Sequence, residues 1–305
     1  MIHTATLYYN FTPDEMKILY YKYNDINTFL FDLDSCFHGI TSHIHFKYNY
    51  ALYITIDFIK LLDTSSITDE HYEISEKIIN NFLINLNLSL NDMTLIRIDY
   101  RKDIKTKDLI ERDMILNCLK KSLDLYWFRS KNSHFDTTIY YNNKSVQVIA
   151  YDKEQERIDK TLPITEIEQD ILRFEVRLLN KHLNSQKQKH GIDKTLKNYF
   201  SIEKHNYYFR HYVLSVFLPG DFCTYDLAEE KINSSKLKES DKSLLRKFLK
   251  TVEEKGLTTC RNTLTNYKYK KILTLLKNLN INPLISTYFN PFIKEIKNPL
   301  NCYTI

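Results

Sequence analysis

The most constraining feature of the sequence is a strict alternation of charged and apolar side chains in two short segments. Residues 96–101 read Ile-Arg-Ile-Asp-Tyr-Arg, and residues 172–178 read Leu-Arg-Phe-Glu-Val-Arg-Leu. Because successive side chains of a strand point to opposite faces, this period predicts two strands with one charged and one apolar face each. The charged faces carry Arg97, Asp99 and Arg101 in the first strand and Arg173, Glu175 and Arg177 in the second.

A third segment alternates in the same way and ends in a tyrosine. Val146, Val148 and Ala150 share one face of this predicted strand, and Tyr151 lies on the other. The chain then enters a charged turn, Asp-Lys-Glu-Gln-Glu at 152–156. Each charged strand alone is also compatible with a solvated sheet surface that carries cross-strand ion pairs. The tyrosine and the following acids favour a site over that interpretation.

The order of strand and helix patterns predicts an α+β fold, with a mainly antiparallel sheet and covering helices. The patterns predict a hairpin over 40–48 and 51–58 around Asn49, a helix starting at Thr68 or Asp69, a strand over 95–101, a helix over 107–125 and strands over 137–141, 146–151 and 171–178. No element is predicted before Ile40.

Strand patterns largely disappear beyond about Lys181. An apolar stripe over 244–252 predicts a helix that stops at Gly256, and a second, basic helix is predicted from about Arg261 to Leu279. We therefore divide the chain into a catalytic domain, 1–204, and a helical domain, 205–305, of a winged-helix-like kind.

Charge is distributed unevenly along the 305 residues. The whole chain has 43 Lys and Arg against 38 Asp and Glu, a net charge of +5. Residues 231–300 hold 15 basic and 5 acidic residues, so this segment carries +10 and the remainder carries −5. A concentrated basic region is typical of phosphate contact.

Composition excludes several classes of protein. Only four Gly and six Pro are present, which argues against Gly-rich nucleotide-binding loops. The five Cys show no zinc-site spacing, and neither a signal peptide nor a membrane span is apparent. We expect a protein of a reducing cytoplasm that does not enter the membrane.

The three charged segments together suit one reaction. A phenol, with an ordinary pKa of about 10, is a weak nucleophile at neutral pH and needs a metal ion or a base beside it. Carboxylates of separate strands can hold Mg²⁺ or Mn²⁺, while Arg and Lys neutralise a phosphodiester. Phosphotyrosyl transfer uses these groups.

At these residues the chain resembles the replication initiation proteins of filamentous phages, the gene II family, and more distantly plasmid rolling-circle Rep proteins and conjugative relaxases. The resemblance rests on TLIRIDYR at 94–101, TTIYYNNKSVQVIAYDKEQE at 137–156 and LRFEVRLLNKHL at 172–183, with weaker similarity over 247–273. It implies a Rep-type nicking domain that cleaves one DNA strand at a replication origin and remains attached to the 5′-phosphate.

Roles follow from that resemblance, position by position. It implies that Tyr151 is the nucleophile, assisted by Lys153, Arg173 and Arg97, and that Mg²⁺ or Mn²⁺ is held by Asp99, Glu156 and Glu175. Expected DNA contacts are Arg177 and, in the basic region, Arg261, Lys268, Lys270 and Lys271. The implied partners are duplex origin DNA and a single-stranded nick site, with host helicase and polymerase and a second copy of the chain as further candidates, in the cytoplasm of a bacterial host.

Several alternatives stay open from the residues alone. His43 and His45 share a strand face and could bind metal, although a half-exposed strand is the favoured interpretation. Tyr140 and Tyr141 are rival nucleophiles, for which strand packing is the simpler role. The function could instead be that of a relaxase acting at a transfer origin, or of a non-catalytic DNA-binding regulator. The origin sequence, the preferred metal and the oligomeric state are left open.

Overall fold

The computed structural model describes residues 1–46, 50–126, 129–166, 168–285 and 293–304. It confirms the predicted α+β class. Within these residues, nine strands form one large sheet in the order β2-β3-β1-β4-β9-β8-β7-β6-β5, and a small second sheet pairs β10 with β11. The pairings of β1, β2 and β3 and those of β6, β7 and β8 run antiparallel.

The strands have the following bounds: β1 Ile2–Phe11, β2 Ile40–His45, β3 Tyr50–Asp57, β4 Thr94–Lys105, β5 Leu125–Tyr126, β6 Arg129–Phe135, β7 Thr138–Asn142, β8 Val146–Asp152, β9 Ile171–Leu179, β10 Phe222–Cys223 and β11 Glu295–Ile296. The predicted hairpin is confirmed, since Ile40 of β2 pairs with Ile56 of β3 and His45 pairs with Ala51. Its turn around Asn49 lies outside the described residues.

The helices have the following bounds: α1 Pro13–Tyr23, α2 Ile26–Cys36, α3 Phe58–Leu62, α4 Tyr72–Leu83, α5 Leu109–Lys120, α6 Lys153–Asp159, α7 Asn180–His190, α8 Leu196–Tyr199, α9 Ile202–Tyr208, α10 Leu214–Phe217, α11 Tyr225–Ser234, α12 Glu239–Thr263 and α13 Asn266–Asn278. A π-helical turn, Phe209–Val213, precedes α10. In the described residues, no helix is long and apolar enough to cross a membrane.

The N-terminal strand β1 is the main element absent from the sequence interpretation. It lies inside the large sheet, between β3 and β4. Ala5 and Leu7 are fully buried, whereas Thr4, Thr6 and Tyr8 of the opposite face are half-buried. The backbone therefore alternates as a strand should, but its polar face of Thr and Tyr gave no charged signature.

The prediction that a helix stops at Gly256 is confirmed. Gly256 has a φ of 74° and interrupts the helical path, so the range of α12 joins two helices, the second of which ends at Thr263. Leu257 begins this second, short helix, and its backbone N–H donates to the carbonyl of Lys121 at 3.0 Å. Arg261 belongs to the short helix, and the predicted second basic helix begins at Asn266, after the N-cap Thr265.

Two other predicted bounds also need correction. The strand predicted to end at Arg101 continues to Lys105, because its outer part carries further alternating residues. The helix predicted over 107–125 ends at Lys120, and Leu125 already belongs to β5.

Contacts divide the chain into two compact units. Unit 1 comprises Met1–Arg101, Lys144–Val146 and Val176–Tyr207. Unit 2 comprises Lys102–Asn143, Gln147–Glu175 and Tyr208–Ile305. One boundary, after Tyr207, falls close to the predicted domain boundary, while unit 2 also takes in segments of the first 204 residues.

A tight turn in unit 2 depends on glycine. Gly220 has a φ of 95°, and a Cβ at this position would lie 2.4 Å from the backbone carbonyl carbon of Ile281 and 2.6 Å from the amide nitrogen of Asn282. Gly191, which ends α7 in unit 1, also has a positive φ of 66°, but a Cβ there would meet nothing within 4 Å.

We expect Gly220→Ala to lower the free energy of unfolding by more than about 3 kcal/mol, because strain in φ is joined by a backbone clash. Gly191→Ala, the matched control, should cost only about 1 kcal/mol from φ strain. Urea denaturation followed by circular dichroism measures both. Equal losses for the two variants would contradict the close approach at Gly220.

Candidate active site

The charged faces predicted from the sequence are largely buried. In unit 2, Arg173 is 4% exposed and Glu175 is 1% exposed, and in unit 1 Asp99 is 2% exposed. A solvated sheet surface would leave such groups in water. Charged groups are seldom buried to this extent unless they are paired or have a function, so each of them requires a partner.

Tyr151 meets Glu175 in unit 2. Their strands, β8 and β9, are neighbours in the sheet, and the Tyr151 hydroxyl donates to Oε1 of Glu175 at 2.8 Å. The positive charge of Arg173 also acts on this phenol and lowers its pKa. Tyr151 itself is only 8% exposed. The contact brings together three of the residues predicted to act in the reaction.

The surroundings keep this phenol protonated. Burial raises the pKa of Tyr151 above its ordinary value of 10.0, and the negative charge of Glu175 raises it further, whereas Arg173 opposes the shift. The proton must therefore leave before the oxygen can attack phosphorus. Glu175 lies at the distance from which a carboxylate can accept that proton.

Arg173 is held by a residue that the sequence interpretation missed. Its Nε and one terminal nitrogen donate to the two carboxylate oxygens of Asp103 at 2.6 and 2.8 Å. Such a two-point pair fixes the plane of a guanidinium. Asp103 continues the two-residue period of Arg97, Asp99 and Arg101, so a longer reading of the same alternation would have found it.

The segment after Tyr151 begins a helix. The side chain of Asp152 caps α6 by accepting from the backbone N–H of Gln155 at 3.1 Å. In the first turn of α6, Nζ of Lys153 lies 2.5 Å from Oε2 of Glu156. Lys160, one turn beyond Glu156, also pairs with this carboxylate. Burial alone would raise the pKa of Glu156, but hydrogen bonds from the two lysines outweigh it and lower the pKa, so Glu156 is ionised.

Arg112 of α5 is a second residue that sequence reasoning missed. It is 3% exposed, and its Nε lies 2.8 Å from the carboxylate of the equally buried Asp152. One of its terminal nitrogens donates to Glu154 at 3.0 Å. Arg112 thus neutralises the cap of α6 next to Tyr151. No sequence pattern signals this partnership, because Arg112 lies on an ordinary amphipathic helix.

Asp99 has a different environment, in unit 1. Arg97 donates to its two carboxylate oxygens at 2.9 and 2.5 Å, and Nε of Arg177 lies 3.6 Å away. Arg97 and Asp99 are two residues apart on β4, as the period predicted. Two cations therefore compensate the one buried carboxylate.

The three carboxylates expected to hold a metal each have partners of their own. Asp99 pairs with arginines, Glu156 with lysines, and Glu175 with Tyr151. Throughout the described part of the chain, no group of three or more His, Cys, Asp or Glu side chains is arranged to hold a metal ion. The Mg²⁺ or Mn²⁺ requirement and its ligands stay a prediction.

His43 and His45 lie on β2, at one edge of the large sheet. Both are exposed, and the ring of His43 stacks on Tyr53 with centroids 5.1 Å apart. Among the rival tyrosines, Tyr141 is fully buried, and its hydroxyl pairs with Ser122 at 2.8 Å. Tyr140 is half-buried on the same strand, β7.

The expected DNA contacts of the basic region lie on or beside α13. Lys268 and Lys270 are exposed, while Lys271 pairs with Asp241 at 2.5 Å. Arg261 lies over the ring of Tyr269, 5.1 Å from its centroid. Tyr269 is buried and packs within the unit, whereas Tyr267 is 78% exposed.

Comparison with known proteins places these residues in a family context. Residues 60–203, just under half of the chain, match the family model that describes the N-terminal part of a phage replication-associated protein. A search of curated proteins gave no match. The matched stretch contains Asp99, Tyr151 and Glu175. It supports a relationship with phage replication initiators and, through it, a DNA partner.

The Arg112 network gives a prediction about stability. Arg112→Ala leaves the buried Asp152 carboxylate uncompensated and should lower the free energy of unfolding by about 3–5 kcal/mol. The control is Lys17→Ala, which removes the exposed pair of Lys17 with Asp14 and should change it by less than about 1 kcal/mol. Urea denaturation measures both, and a loss below about 1 kcal/mol for Arg112→Ala would show that the buried pair contributes little.

Proposed function

We propose that the protein is a replication initiator that nicks and rejoins one DNA strand at an origin through a covalent 5′-phosphotyrosine at Tyr151. The observation that carries the proposal is the buried hydrogen bond between the Tyr151 hydroxyl and Glu175, with Arg173 beside the same oxygen. The family match over 60–203 supports the same role.

The groups around Tyr151 have separate tasks in this reaction. Glu175 accepts the phenolic proton while the oxygen forms a bond to phosphorus and the bond from phosphorus to the 3′-oxygen breaks. Water supplies a proton to the leaving 3′-oxygen, so that a free 3′-hydroxyl remains to prime synthesis, and Glu175 keeps the proton of the phenol. Arg173 stabilises the negative charge that develops on the phenolic oxygen, and Asp103 fixes the guanidinium for that task.

Rejoining is the reverse reaction at the same atoms. A 3′-hydroxyl gives its proton to water and attacks the phosphotyrosine, the bond from phosphorus to the Tyr151 oxygen breaks, and protonated Glu175 returns its proton to the phenolate. The energy of the phosphodiester is kept in the tyrosine ester, so no nucleotide cofactor is needed. This agrees with the scarcity of glycine in the chain, which argued against a nucleotide-binding loop.

The remaining predicted residues have further roles in this proposal. Lys153, which follows the end of β8, and Arg97 neutralise phosphate oxygens. The exposed Lys268 and Lys270 of α13 supply contacts with duplex origin DNA, together with Arg177 and Arg261. Affinity for the duplex should therefore fall steeply as salt is raised. A divalent ion remains part of the proposal, although no step above is assigned to it.

Tyr151→Phe should abolish both nicking and the covalent protein–DNA adduct, because the nucleophilic oxygen is removed, while origin binding persists. The assay incubates the protein with supercoiled origin DNA in Mg²⁺, in Mn²⁺ and in EDTA, and separates relaxed and SDS-resistant products. Tyr141→Phe is the matched control, because it also removes a buried, hydrogen-bonded hydroxyl. This variant should lose about 1 kcal/mol of the free energy of unfolding and nick at the normal rate.

Robust nicking by Tyr151→Phe would eliminate the assignment of the nucleophile. Absence of any relaxed or linked product from the wild type across candidate origins would favour the non-catalytic regulator. Cleavage confined to a transfer origin would favour the relaxase. Full activity in EDTA would show that the expected metal ion is not required.

Glu175→Gln should slow single-turnover cleavage of an oligonucleotide by about 10²- to 10⁴-fold, since an amide cannot accept the phenolic proton. The control is Glu76→Gln, because Glu76 accepts from the Tyr72 hydroxyl at 3.2 Å in a similar pair of unit 1. Its rate should match the wild type. An unchanged rate for Glu175→Gln would assign the proton to another acceptor.

A further inference from the structure

Unit 1 contains a cavity that none of the predicted roles uses. Its volume is about 400 Å³, within the range of small-molecule sites. Two tyrosines, two polar residues, an isoleucine and a lysine line it: Tyr8, Tyr53, Thr94, Asn180, Ile96 and Lys194.

An irregularity in the sheet shapes this cavity. Tyr8 pairs with Thr94 and Leu7 with Leu95, but Thr6 pairs with Arg97, so β4 has one extra residue at Ile96. The backbone N–H of Leu95 donates to the carbonyl of Lys194 at 2.8 Å. The bulge thus brings the segment that carries Lys194 to the cavity, as bulges commonly redirect side chains next to sites.

The aromatic wall is ordered before any ligand arrives. The ring of Tyr53 stacks on His43 at an interplanar angle of 10°, and Tyr8 approaches it edge-on, with centroids 5.3 Å apart. Both tyrosines are half-buried, so part of each side chain meets solvent. Aromatic side chains already held in place lose little conformational freedom when another flat ring binds.

Positive charge accompanies the aromatic wall. Nζ of Lys194 donates to Oδ1 of Asn180 at 2.6 Å, and burial and the nearby Lys187 lower the pKa of Lys194, so an anion beside it would be stabilising. Arg97 of β4 is opposite Thr6 of β1 in the sheet, and the two side chains lie on the same face. The side chain of Arg97 is 37% exposed. Tyr8 lies on the same face, two residues from Thr6.

We propose that this cavity receives one unstacked base of single-stranded DNA, with Tyr53 as the stacking surface and Lys194 as the contact for an adjacent phosphate. Aromatic rings combined with cations are the chemistry that binds single strands, whereas the bases of a duplex are stacked on one another and cannot enter. The inference rests on the proposed function only in taking DNA as the substrate.

The test measures binding and does not depend on cleavage. Fluorescence anisotropy with the full chain in EDTA compares a labelled 20-nucleotide single strand of mixed sequence with its duplex. Tyr53→Leu should raise the Kd for the single strand by about fivefold to a hundredfold and leave the Kd for the duplex unchanged. Tyr53→Phe, which keeps the ring, and Tyr21→Leu, which alters a 94% exposed tyrosine elsewhere in unit 1, should both bind as the wild type does.

A folded Tyr53→Leu protein that binds the single strand as tightly as the wild type would overturn the proposal. If that variant fails to fold, Lys194→Gln is the deciding variant. The slope of the logarithm of the binding constant against the logarithm of the salt concentration should become shallower by about 0.7 for the single strand. An unchanged slope would overturn the phosphate contact. Complete displacement of the strand by a mixture of 1 mM deoxynucleoside monophosphates would instead assign the cavity to free nucleotides and overturn the proposal.

The outcomes separate this inference from the proposed function. Wild-type nicking together with a Tyr53→Leu affinity equal to that of the wild type would remove the cavity proposal alone. Loss of single-strand affinity in Tyr53→Leu, in a protein that nicks no origin, would support the cavity and remove the nicking activity alone.

Discussion

The surroundings of Tyr151 depend on two buried polar contacts: the Tyr151 hydroxyl donates to Glu175, and Asp103 holds Arg173, whose charge acts on the same phenol. Each member would be costly to bury alone, since an unpaired charge or hydroxyl loses its hydration without compensation. Together they satisfy one another. The neighbouring strands β8 and β9 therefore fix the phenol of Tyr151 and the carboxylate of Glu175 at hydrogen-bond distance.

The same requirement explains the supporting residues. Asp152 caps the helix that follows Tyr151, and its burial requires the positive charge of Arg112. Asp99 in unit 1 is compensated by Arg97 and Arg177. Such pairs do not add much net stability compared with an apolar core. Their value lies in orientation, because a guanidinium or carboxylate held at two points cannot rotate away from its partner.

Two kinds of surface would suit the two forms of DNA in the proposed function. The exposed lysines of α13 offer point charges, which would serve a duplex of any sequence. The cavity of Tyr8, Tyr53 and Lys194 offers ordered rings and a cation, which would serve an unpaired strand. The proposed function needs both, because nicking would turn a strand of the duplex into a single strand.

Local sequence patterns were enough to predict several strands and helices of this protein. The two-residue period of 96–101, 145–151 and 172–178 predicted three strands, and helical spacing behind Thr68 predicted α4, because side-chain periods are set by backbone geometry alone. Tyr151, Glu175 and Arg173 were likewise selected from these strands. The N-terminal strand β1 was missed because its polar face carries no charges. The short helix that begins at Leu257 was also missed, since its first residue is held by a bond to the distant carbonyl of Lys121.

Only the tertiary structure decided which charges meet. The sequence indicates that Asp99, Glu156 and Glu175 can share strand faces or turns, but not that arginines, lysines and a phenol would be their partners. The pairing of Asp103 with Arg173, and the roles of Arg112 and Lys194, became visible only as contacts between residues far apart in the chain. The physical reason is that the period of an element fixes the direction of its own side chains, whereas a partner on another element is chosen by packing, and packing depends on the whole fold at once.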